Sequence, residues 1–350
     1  MGISDDVPSD LLAGAKWGSA TVLVPPAVVT GVAADDASPE VGDVVLAEVT
    51  KIGAHIRLEG REGQRQALYP GDHIVGVLGH RYAPDQFEGY VGTDGDRFHL
   101  LSVAGVVGLV RSRHSDIGAP TRLQMLGYLR DLHGQRLNTR RFALRAPAAL
   151  PQAQVPTVVV VGTMMNAGKT TTATSIIHGA ARRGIVVAAA KVTGTASGKD
   201  ISLMRDAGAR RALDFTVCGW PSTYMCSAEE LEDLFLTLYA SLLRVEPRLI
   251  VLELADGIIQ RETGLLLRSP LFRSYLTAVV LAAGDAMGAE AAAGRLRAMG
   301  LPVVAVSGRA SMSPLLIAET ESVAGVPCLT RQQLEGGAAL EWLPEAIGAR

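Results

Sequence analysis

The sequence predicts an α/β fold with a doubly wound, mainly parallel sheet, preceded by a small antiparallel β-barrel or sandwich domain. Three observations lead to this fold class. From residue 155 onward, apolar runs typical of buried strands alternate with helical patterns. The first of these runs ends in a glycine-rich loop that opens a helix. Before residue 112, short valine-rich runs are separated by Gly-Asp turns and lack helical periodicity, which is typical of short strands.

We expect three segments along the chain. Residues 1–112 form the small β-rich domain. Residues 113–155 form a helical connector and linker, because leucines recur at helical spacing in PTRLQMLGYLRDLHGQRL and the stretch APAALPQAQVP is rich in proline and alanine. Residues 156–350 form the α/β domain. A chain of 350 residues is long enough for two domains of this kind.

The composition favours a folded protein that acts on a small molecule. Hydrophobic residues make up 48% of the chain and charged residues 19%, which excludes wholesale disorder. A net charge of −2 gives no electrostatic footprint for nucleic acid, so we expect no nucleic-acid partner. No apolar run approaches about eighteen residues and the N-terminus lacks a signal peptide's apolar segment, so we expect no membrane partner and a cytoplasmic location. The sequence leaves a homodimer open.

The segment at residues 158–172, VVVVGTMMNAGKTTT, predicts a phosphate-binding loop and therefore a P-loop NTPase domain. A glycine ends the strand and permits a sharp turn, and the loop amides with the helix N-terminus form a cradle for phosphate oxygens. Lys169 is expected to be solvent-facing in the empty loop and to reach the β and γ phosphates, while Thr170 offers a hydroxyl to Mg²⁺. The nucleotide-binding residues predicted here are Gly162, Thr163, Asn166, Ala167, Gly168, Lys169, Thr170 and Thr171. ATP with Mg²⁺ is the expected cofactor, although these residues leave GTP open.

A carboxylate ends the third strand of the predicted sheet. The run LIVLEL places Glu253 at the strand's carboxyl end, which is the Walker B position for holding magnesium. A buried carboxylate without a partner costs several kcal/mol, so partnership with a cation is favoured over a plain core role. Asp256 follows three residues later and is a candidate general base or substrate contact. Lys191 ends the second strand, which places it at the carboxyl edge of the same sheet.

The spacing of the loop gives a family resemblance. Five residues separate Gly162 from the Gly-Lys pair, one more than in the usual loop, and the form GTxxxxGKT resembles the dethiobiotin synthetase branch of the P-loop fold. The resemblance covers residues 155 to about 330. It departs from the family where Met164 and Met165 replace Asp-Thr, where Val192 replaces a proline and where Ser307 replaces an asparagine. The β-rich front of the chain has no counterpart in that family.

The resemblance implies roles for four further positions. Lys191 becomes a clamp for the acidic group of a small-molecule substrate or for a phosphate, and thereby the third candidate catalytic residue beside Lys169 and Asp256. Asp200 becomes a magnesium ligand alongside Thr170 and Glu253. The residues alone also leave open a solvated loop lysine at Lys191 and a helix-capping aspartate at Asp200. Ser307 and Arg309 lie where the family reads the nucleotide base. The implied reaction is transfer of the γ-phosphoryl group of ATP to a carboxylate or carbamate of an acidic metabolite.

Other functions remain open at the level of sequence. A small-molecule kinase would use Asp256 to accept the proton of the acceptor's hydroxyl. A nucleotide-switch ATPase would use the β-rich domain to engage a protein partner or deliver a cofactor. Acyl transfer on a degenerate loop is disfavoured by the intact Gly-Lys-Thr. The loop at residues 218–224, CGWPSTY, is either a segment that closes over a substrate or a turn packed by its aromatic residues.

Overall fold

The computed structural model describes residues 9–34, 37–92, 95, 97–145 and 155–343, and the chain divides into two compact units. The first unit comprises Met1–Leu144 together with Thr195–Lys199 and Phe215–Met225, and the second comprises Arg145–Gly194, Asp200–Asp214 and Cys226–Arg350. Residues 146–154 of the predicted linker lie outside the described residues. Within the described ranges, no helix combines the length and the apolar character that a bilayer span requires.

The first unit is rich in short strands. Its described elements are α1 (Ser9–Ala13), β1 (Lys16–Trp17), β2 (Gly31–Ala33), β3 (Val44–Lys51), β4 (Arg57–Glu59), β5 (Arg65–Ala67), β6 (His73–Leu78), β7 (Phe87–Tyr90), β8 (Arg97–Leu100), β9 (Val106–Arg113) and β10 (Arg122–Arg130). The pairings β6–β3, β3–β10, β10–β8, β8–β9 and β9–β6 join five of these strands into a closed ring. Four of the pairings are antiparallel and β6–β9 is parallel, so the sheet is mixed.

Strand β3 is buried on both of its faces over its first four residues, Val44 to Ala47. Along β3, Val45 and Ala47 pack in one apolar cluster with Leu58 and Phe98, while Leu46 belongs to a second cluster on the other face. This follows from the two-residue period of a strand, which sends successive side chains to opposite faces.

The prediction of a helical connector over residues 113–155 is wrong, because residues 122–130 form strand β10 at the centre of the sheet. The strand pairs with β2, β3 and β8. Its register against β3 shifts between Arg122 and Leu123 and again between Met125 and Gly127. Each such irregularity breaks the two-residue alternation of side chains, and the apolar residues then fall at spacings that resemble those of a helix.

The second unit holds most of the segment predicted as the α/β domain, residues 156–350, but Thr195–Lys199 and Phe215–Met225 of that segment belong to the first unit. Its described elements are β11 (Thr157–Gly162), α2 (Lys169–Ala181), β12 (Val187–Lys191), α3 (Gly198–Asp206), β13 (Arg211–Asp214), α4 (Ala228–Leu243), β14 (Leu249–Glu253), α5 (Arg261–Arg268), α6 (Pro270–Ser274), β15 (Ala278–Ala283), α7 (Ala286–Ala298), β16 (Val303–Gly308), α8 (Pro314–Ala324) and α9 (Arg331–Glu335). The first two residues of α3 belong to the first unit, and the helix continues in the second.

Six of these strands form one parallel sheet, in the order β13-β12-β14-β11-β15-β16. Every residue of β11, β14 and β15 is buried, so helices and loops cover both faces of the sheet. The predicted parallel α/β sheet is confirmed. The edge strand β13 was not among the predicted strands.

The carboxyl ends of the strands lie along one edge of this sheet. In register, Glu253 of β14 is paired with Val160 of β11 on one side and with Lys191 of β12 on the other. Ligands of parallel α/β sheets lie beyond this edge. The topology therefore places the predicted site residues of three neighbouring strands side by side.

Candidate nucleotide-binding site

The loop between β11 and α2 is held against the ends of its neighbouring strands. The Thr163 amide donates to the carbonyl oxygen of Ala282 at 3.0 Å, and the Thr163 hydroxyl accepts from the Gly284 amide at 3.2 Å. Asn166, with φ 59°, and Gly168, with φ 103°, have left-handed backbone conformations. Glycine and asparagine adopt this conformation most readily, which allows the loop to curl back before the helix starts at Lys169.

Lys169 lies across the start of its own loop. A Cβ atom on Gly162 would come within 2.8 Å of Lys169 Cδ, so the lysine side chain in this position packs directly on the glycine. The Lys169 ammonium donates to the Met164 carbonyl oxygen at 2.7 Å. The side chain is not solvent-facing as expected, because the residue is only 7% exposed. Burial lowers the pKa of Lys169, and the carboxylates of Glu253 and Asp256 oppose that shift.

Thr170 and Glu253 form the centre of the site. The Thr170 hydroxyl donates to Glu253 Oε1 at 2.9 Å, and Glu253 is 2% exposed. Its second oxygen, Oε2, is buried and has no hydrogen-bond partner among the described residues. Burial raises the pKa of Glu253 and nearby Asp200 adds to the shift, whereas Lys191, Thr170 and Lys169 oppose it. Burying a carboxylate oxygen in this way costs free energy unless a cation or a proton binds to it.

These two residues fit a magnesium ion by their chemistry. Mg²⁺ prefers hard oxygen ligands and is usually held by one or two protein groups together with substrate phosphates and water. In the described part of the chain, no three His, Cys, Asp or Glu side chains gather into a metal-binding cluster. The protein ligands available here are therefore the Thr170 hydroxyl and the free oxygen of Glu253.

Lys191 and Asp200, which were assigned separate roles, form an ion pair with each other. The Lys191 ammonium donates to Asp200 Oδ2, and the two side chains are 13% and 17% exposed. Burial acts to lower the pKa of Lys191, but the carboxylates of Asp200 and Glu253 outweigh it and the pKa is raised. In this arrangement Asp200 neutralises the predicted acceptor clamp. Asp200 lies in the first turn of α3 and not at its cap.

The loop after β14 runs along the phosphate-binding loop. The Ile258 amide donates to the Gly162 carbonyl oxygen at 2.9 Å, and the Ala255 amide donates to the Thr193 hydroxyl at 2.8 Å. Between them, Asp256 has a left-handed backbone with φ 57°, a conformation that aspartate adopts more often than most residues with a side chain. The carboxylate is half-buried and close enough to influence the pKa of Lys169.

The end of β16 closes the other side of the loop. The Ser307 hydroxyl is buried and donates to the Leu329 carbonyl oxygen at 2.8 Å. Its hydrogen is therefore used by the protein's own backbone and is not offered to a ligand. Arg309 is exposed, and its guanidinium makes no hydrogen bond or ion pair with the described residues. Its backbone amide donates to the Ala167 carbonyl oxygen at 3.0 Å. Of the two positions predicted for base recognition, Arg309 is the one whose side chain is available.

The sequence analysis missed the part played by Gly308. This residue has φ 82°, and a Cβ atom there would lie 2.2 Å from the Ala167 carbonyl oxygen. Only glycine permits the close approach of β16 to the phosphate-binding loop. The one signal in the sequence was a glycine directly after an apolar strand.

No protein-family model matches the chain, and no curated protein matches it. Among solved structures, the chain is similar to the Signal Recognition Particle 54 kDa protein from Aeropyrum pernix K1 in complex with GDP, with 20% identity, a TM-score of 0.32 and coverage of 57% of this chain and 50% of that chain. It is also similar to a DUF1611 family protein from Anabaena variabilis, with 16% identity, a TM-score of 0.37 and coverage of 59% and 63%. A ParA family ATPase from Chlorobium tepidum TLS has 14% identity and a TM-score of 0.33, with coverage of 55% and 94%. The chain thus spans less than two thirds of the first two proteins. All three TM-scores are below 0.5.

Proposed function

We propose that the protein binds a nucleoside triphosphate with Mg²⁺ and transfers its γ-phosphoryl group to a small acidic acceptor, a carboxylate or carbamate. The observation that carries the proposal is the buried Glu253 oxygen without a hydrogen-bond partner, next to the Thr170 hydroxyl and the loop that holds Lys169. A hydroxyl, a carboxylate and a lysine in this arrangement are the protein groups that phosphoryl transfer requires.

Each group of residues in the site has a separate role in binding the nucleotide. The loop amides and Lys169 bind and neutralise the phosphates once the ammonium leaves the Met164 carbonyl oxygen. Thr170 and Glu253 would hold Mg²⁺, which supplies charge neutralisation at the β and γ phosphate oxygens. ATP is the nucleotide we propose, and the exposed Arg309 guanidinium is the group available to contact its base or its phosphates.

Lys191 is the proposed contact for the acidic acceptor. An anionic acceptor would compete with Asp200 for the ammonium, since the two carboxylates have the same charge and the same hydrogen-bonding capacity. Lys191→Ala is then expected to raise the acceptor's KM by roughly 30-fold to 1000-fold, which corresponds to about 2 to 4 kcal/mol for a lost ionic contact. Nucleotide affinity is expected to change little because Lys169 and the loop amides remain.

The ion pair also supports a second candidate, a nucleotide-switch ATPase. With Lys191 already neutralised by Asp200, the site needs no acceptor in order to bind nucleotide. Slow phosphate release that a protein partner accelerates would select this function. A phosphorylated product that survives without an added amine would instead select a kinase that uses Asp256 as base.

The test of the shared proposal is Glu253→Gln, which removes the charge and keeps the shape. We expect Mg²⁺-dependent phosphate release to fall by about a hundredfold or more, because the metal loses a protein ligand. Nucleotide binding without Mg²⁺ is expected not to weaken, since the variant removes a negative charge that repels the phosphates. Both are measured on the full chain by phosphate release and by calorimetric titration with and without Mg²⁺.

The matched control is Glu262→Gln. Glu262 is also fully buried in the second unit, but its Oε1 accepts from Arg261 Nη1 at 2.6 Å. This control is expected to lower stability without altering the magnesium dependence. Equal magnesium dependence in wild type and Glu253→Gln would show that Glu253 is a structural residue.

A further inference from the structure

Three large apolar side chains are exposed around the first turn of the phosphate-binding loop. Met164 in the loop is 49% exposed, Ile259 in the loop after β14 is 75% exposed, and Met287 in the first turn of α7 is 76% exposed. They follow the carboxyl ends of β11, β14 and β15, which are neighbours in the sheet. All three residues belong to the second unit, and together we call them the apolar rim.

The loop that carries Ile259 packs on the backbone of the phosphate-binding loop. A Cβ atom on Gly257 would lie 2.5 Å from the Thr163 carbonyl oxygen and 3.4 Å from Met164 Cα. Glycine permits this approach because it has no side chain. Ile259, two residues further along, is therefore held close to the turn that Thr163 and Met164 form.

The turn between β15 and α7 packs on the same part of the phosphate-binding loop. A Cβ atom on Gly284 would lie 3.6 Å from Met164 Sδ, which is an ordinary van der Waals distance. A Cβ atom on Gly288, the residue after Met287, would lie 3.5 Å from Thr163 Cγ2. The residues of the apolar rim are thus gathered around one turn of the loop.

This turn lies at the γ-phosphate end of the loop. The ammonium of Lys169, which in a P-loop reaches the β and γ phosphates, donates to the Met164 carbonyl oxygen at 2.7 Å. A group that accepts the γ-phosphoryl must lie beyond that phosphate, roughly in line with the bond that breaks. The apolar rim therefore borders the space that the acceptor needs.

Apolar side chains do not contribute to binding phosphates, which are bound by amides and cations. Single exposed apolar residues are common on protein surfaces, but a group of them marks a surface that binds an apolar ligand or partner. We propose that the apolar rim binds the hydrocarbon part of the acceptor, so that the substrate class is a carboxylic acid with an alkyl chain. This inference rests on the proposed function for the position of the acceptor.

The order of the strands sets a minimum size for such an acceptor. Lys191, the proposed contact for the acidic group, ends β12, and Met164 follows β11, with β14 between the two strands. Two strand spacings amount to roughly 10 Å. An acid that contacts both Lys191 and the apolar rim therefore needs a chain of several carbon atoms, and acetate is too short.

The test measures the binding of acetate, butyrate, hexanoate and octanoate to the full chain loaded with Mg²⁺ and a non-hydrolysable ATP analogue, by calorimetric titration. Each added methylene group that reaches the apolar rim should lower the Kd about twofold to fourfold, because its surface is removed from water. This dependence on chain length should be much weaker in Ile259→Asn and in Met287→Gln. Both side chains are largely exposed, so the variants are expected to fold.

Val323→Asn is the matched control. Val323 is also an exposed apolar residue of the second unit, at 41%, but it lies in the last turn of α8. This helix begins after the carboxyl end of β16 and extends away from it for roughly 16 Å. The variant should keep the wild-type dependence on chain length. No such dependence in wild type, an unchanged dependence in both rim variants, or its loss in Val323→Asn would overturn the inference.

Transfer is measured separately, with ATP in place of the analogue and hydroxylamine in the buffer. In the proposed reaction a carboxylate oxygen of the acid attacks the γ-phosphorus and ADP leaves, and hydroxylamine then displaces phosphate from the acyl carbon to give a hydroxamate. Binding that depends on chain length without any hydroxamate would refute the proposed transfer and leave this inference standing. Equal kcat/KM for acetate and octanoate would overturn the inference and leave the proposed function standing.

The same protein samples distinguish a second occupant of the apolar rim. Sedimentation of the loaded wild type and of Ile259→Asn gives their oligomeric states, and we expect the variant to match the wild type. A dimer that forms in the loaded wild type and dissociates in Ile259→Asn would assign the apolar rim to a second copy of the chain. That result would also overturn the inference.

Discussion

The backbone amide of Arg309 donates to the carbonyl oxygen of Ala167 at 3.0 Å, which fastens the end of β16 to the phosphate-binding loop. Gly308 makes this possible, since any side chain there would collide with the same carbonyl oxygen. The conformation of the loop therefore depends on a strand that is distant from it in sequence.

Gly308→Ala tests that dependence. We expect nucleotide affinity to fall at least about tenfold, because a Cβ atom 2.2 Å from the Ala167 oxygen forces the loop to move. Gly325→Ala is the control: Gly325 also has a positive φ, 63°, but its nearest neighbour would be 3.9 Å away. Both variants should lose about 1 kcal/mol from backbone strain, and only Gly308→Ala should lose nucleotide binding in a titration. Equal affinities in the two variants would contradict this role.

Lys169→Met keeps the aliphatic chain over Gly162 and removes the ammonium. Phosphate release should drop by about a hundredfold or more, because the charge that neutralises the phosphates is gone. The free energy of unfolding should not fall, since burial already disfavours the charged form and lowers the pKa of this lysine. Chemical denaturation and phosphate release are measured together, with exposed Lys199→Met as the control. Normal turnover in Lys169→Met would exclude the P-loop interpretation.

Thr170→Ala and Thr174→Ala form a matched pair on α2. The Thr170 hydroxyl donates to Glu253, whereas the Thr174 hydroxyl donates only to backbone carbonyl oxygens of its own helix, Thr170 O at 2.9 Å and Thr171 O at 3.0 Å. Thr170→Ala should weaken nucleotide binding in the presence of Mg²⁺ about tenfold through the loss of a metal ligand. Thr174→Ala should not. The same affinity for both variants with Mg²⁺ would remove Thr170 from the metal site.

His55 predicts how stability changes with pH. The ring donates from Nδ1 to the Leu100 carbonyl oxygen at 3.1 Å, and burial together with Arg81 lowers its pKa from 6.5 to about 4. The unfolded chain therefore takes up a proton near pH 6.5 while the folded chain does not, so the stabilisation present above that pH is lost as the pH falls toward 4. Between pH 7.5 and 5 this amounts to about 2 kcal/mol. Denaturation experiments at the two pH values give the fall in the free energy of unfolding. This fall should be smaller by that amount in His55→Gln than in wild type, and it should be unchanged in the control His133→Gln, whose histidine is exposed.

The parts of the site that were predicted from sequence depend on local chemistry. The loop residues and Glu253 could be located because they lie at the ends of strands, and the loop's own backbone amides form the phosphate-binding site there. The pairing of Lys191 with Asp200 was not predicted, because it depends on how α3 packs against the end of β12, and a sequence pattern does not give that packing. Strand β10 was misread for a similar reason: its irregular register against β3 hides the alternation that identifies a strand.

The first unit is built from three separate segments of the chain, and this affects how it folds during synthesis on the ribosome. Its last strand, β10, ends at Arg130, but the unit also includes Thr195–Lys199 and Phe215–Met225. The first 144 residues therefore cannot form all the contacts of their unit until residue 225 has left the exit tunnel. Until then, the apolar cluster of Ala20, Val77, Leu101, Ala104 and Val106 lacks its sixth member, Ala196. The Glu59 carboxylate likewise lacks the Gly198 amide that donates to it. Nascent chains stalled before and after that point should differ in resistance to protease within the first 144 residues.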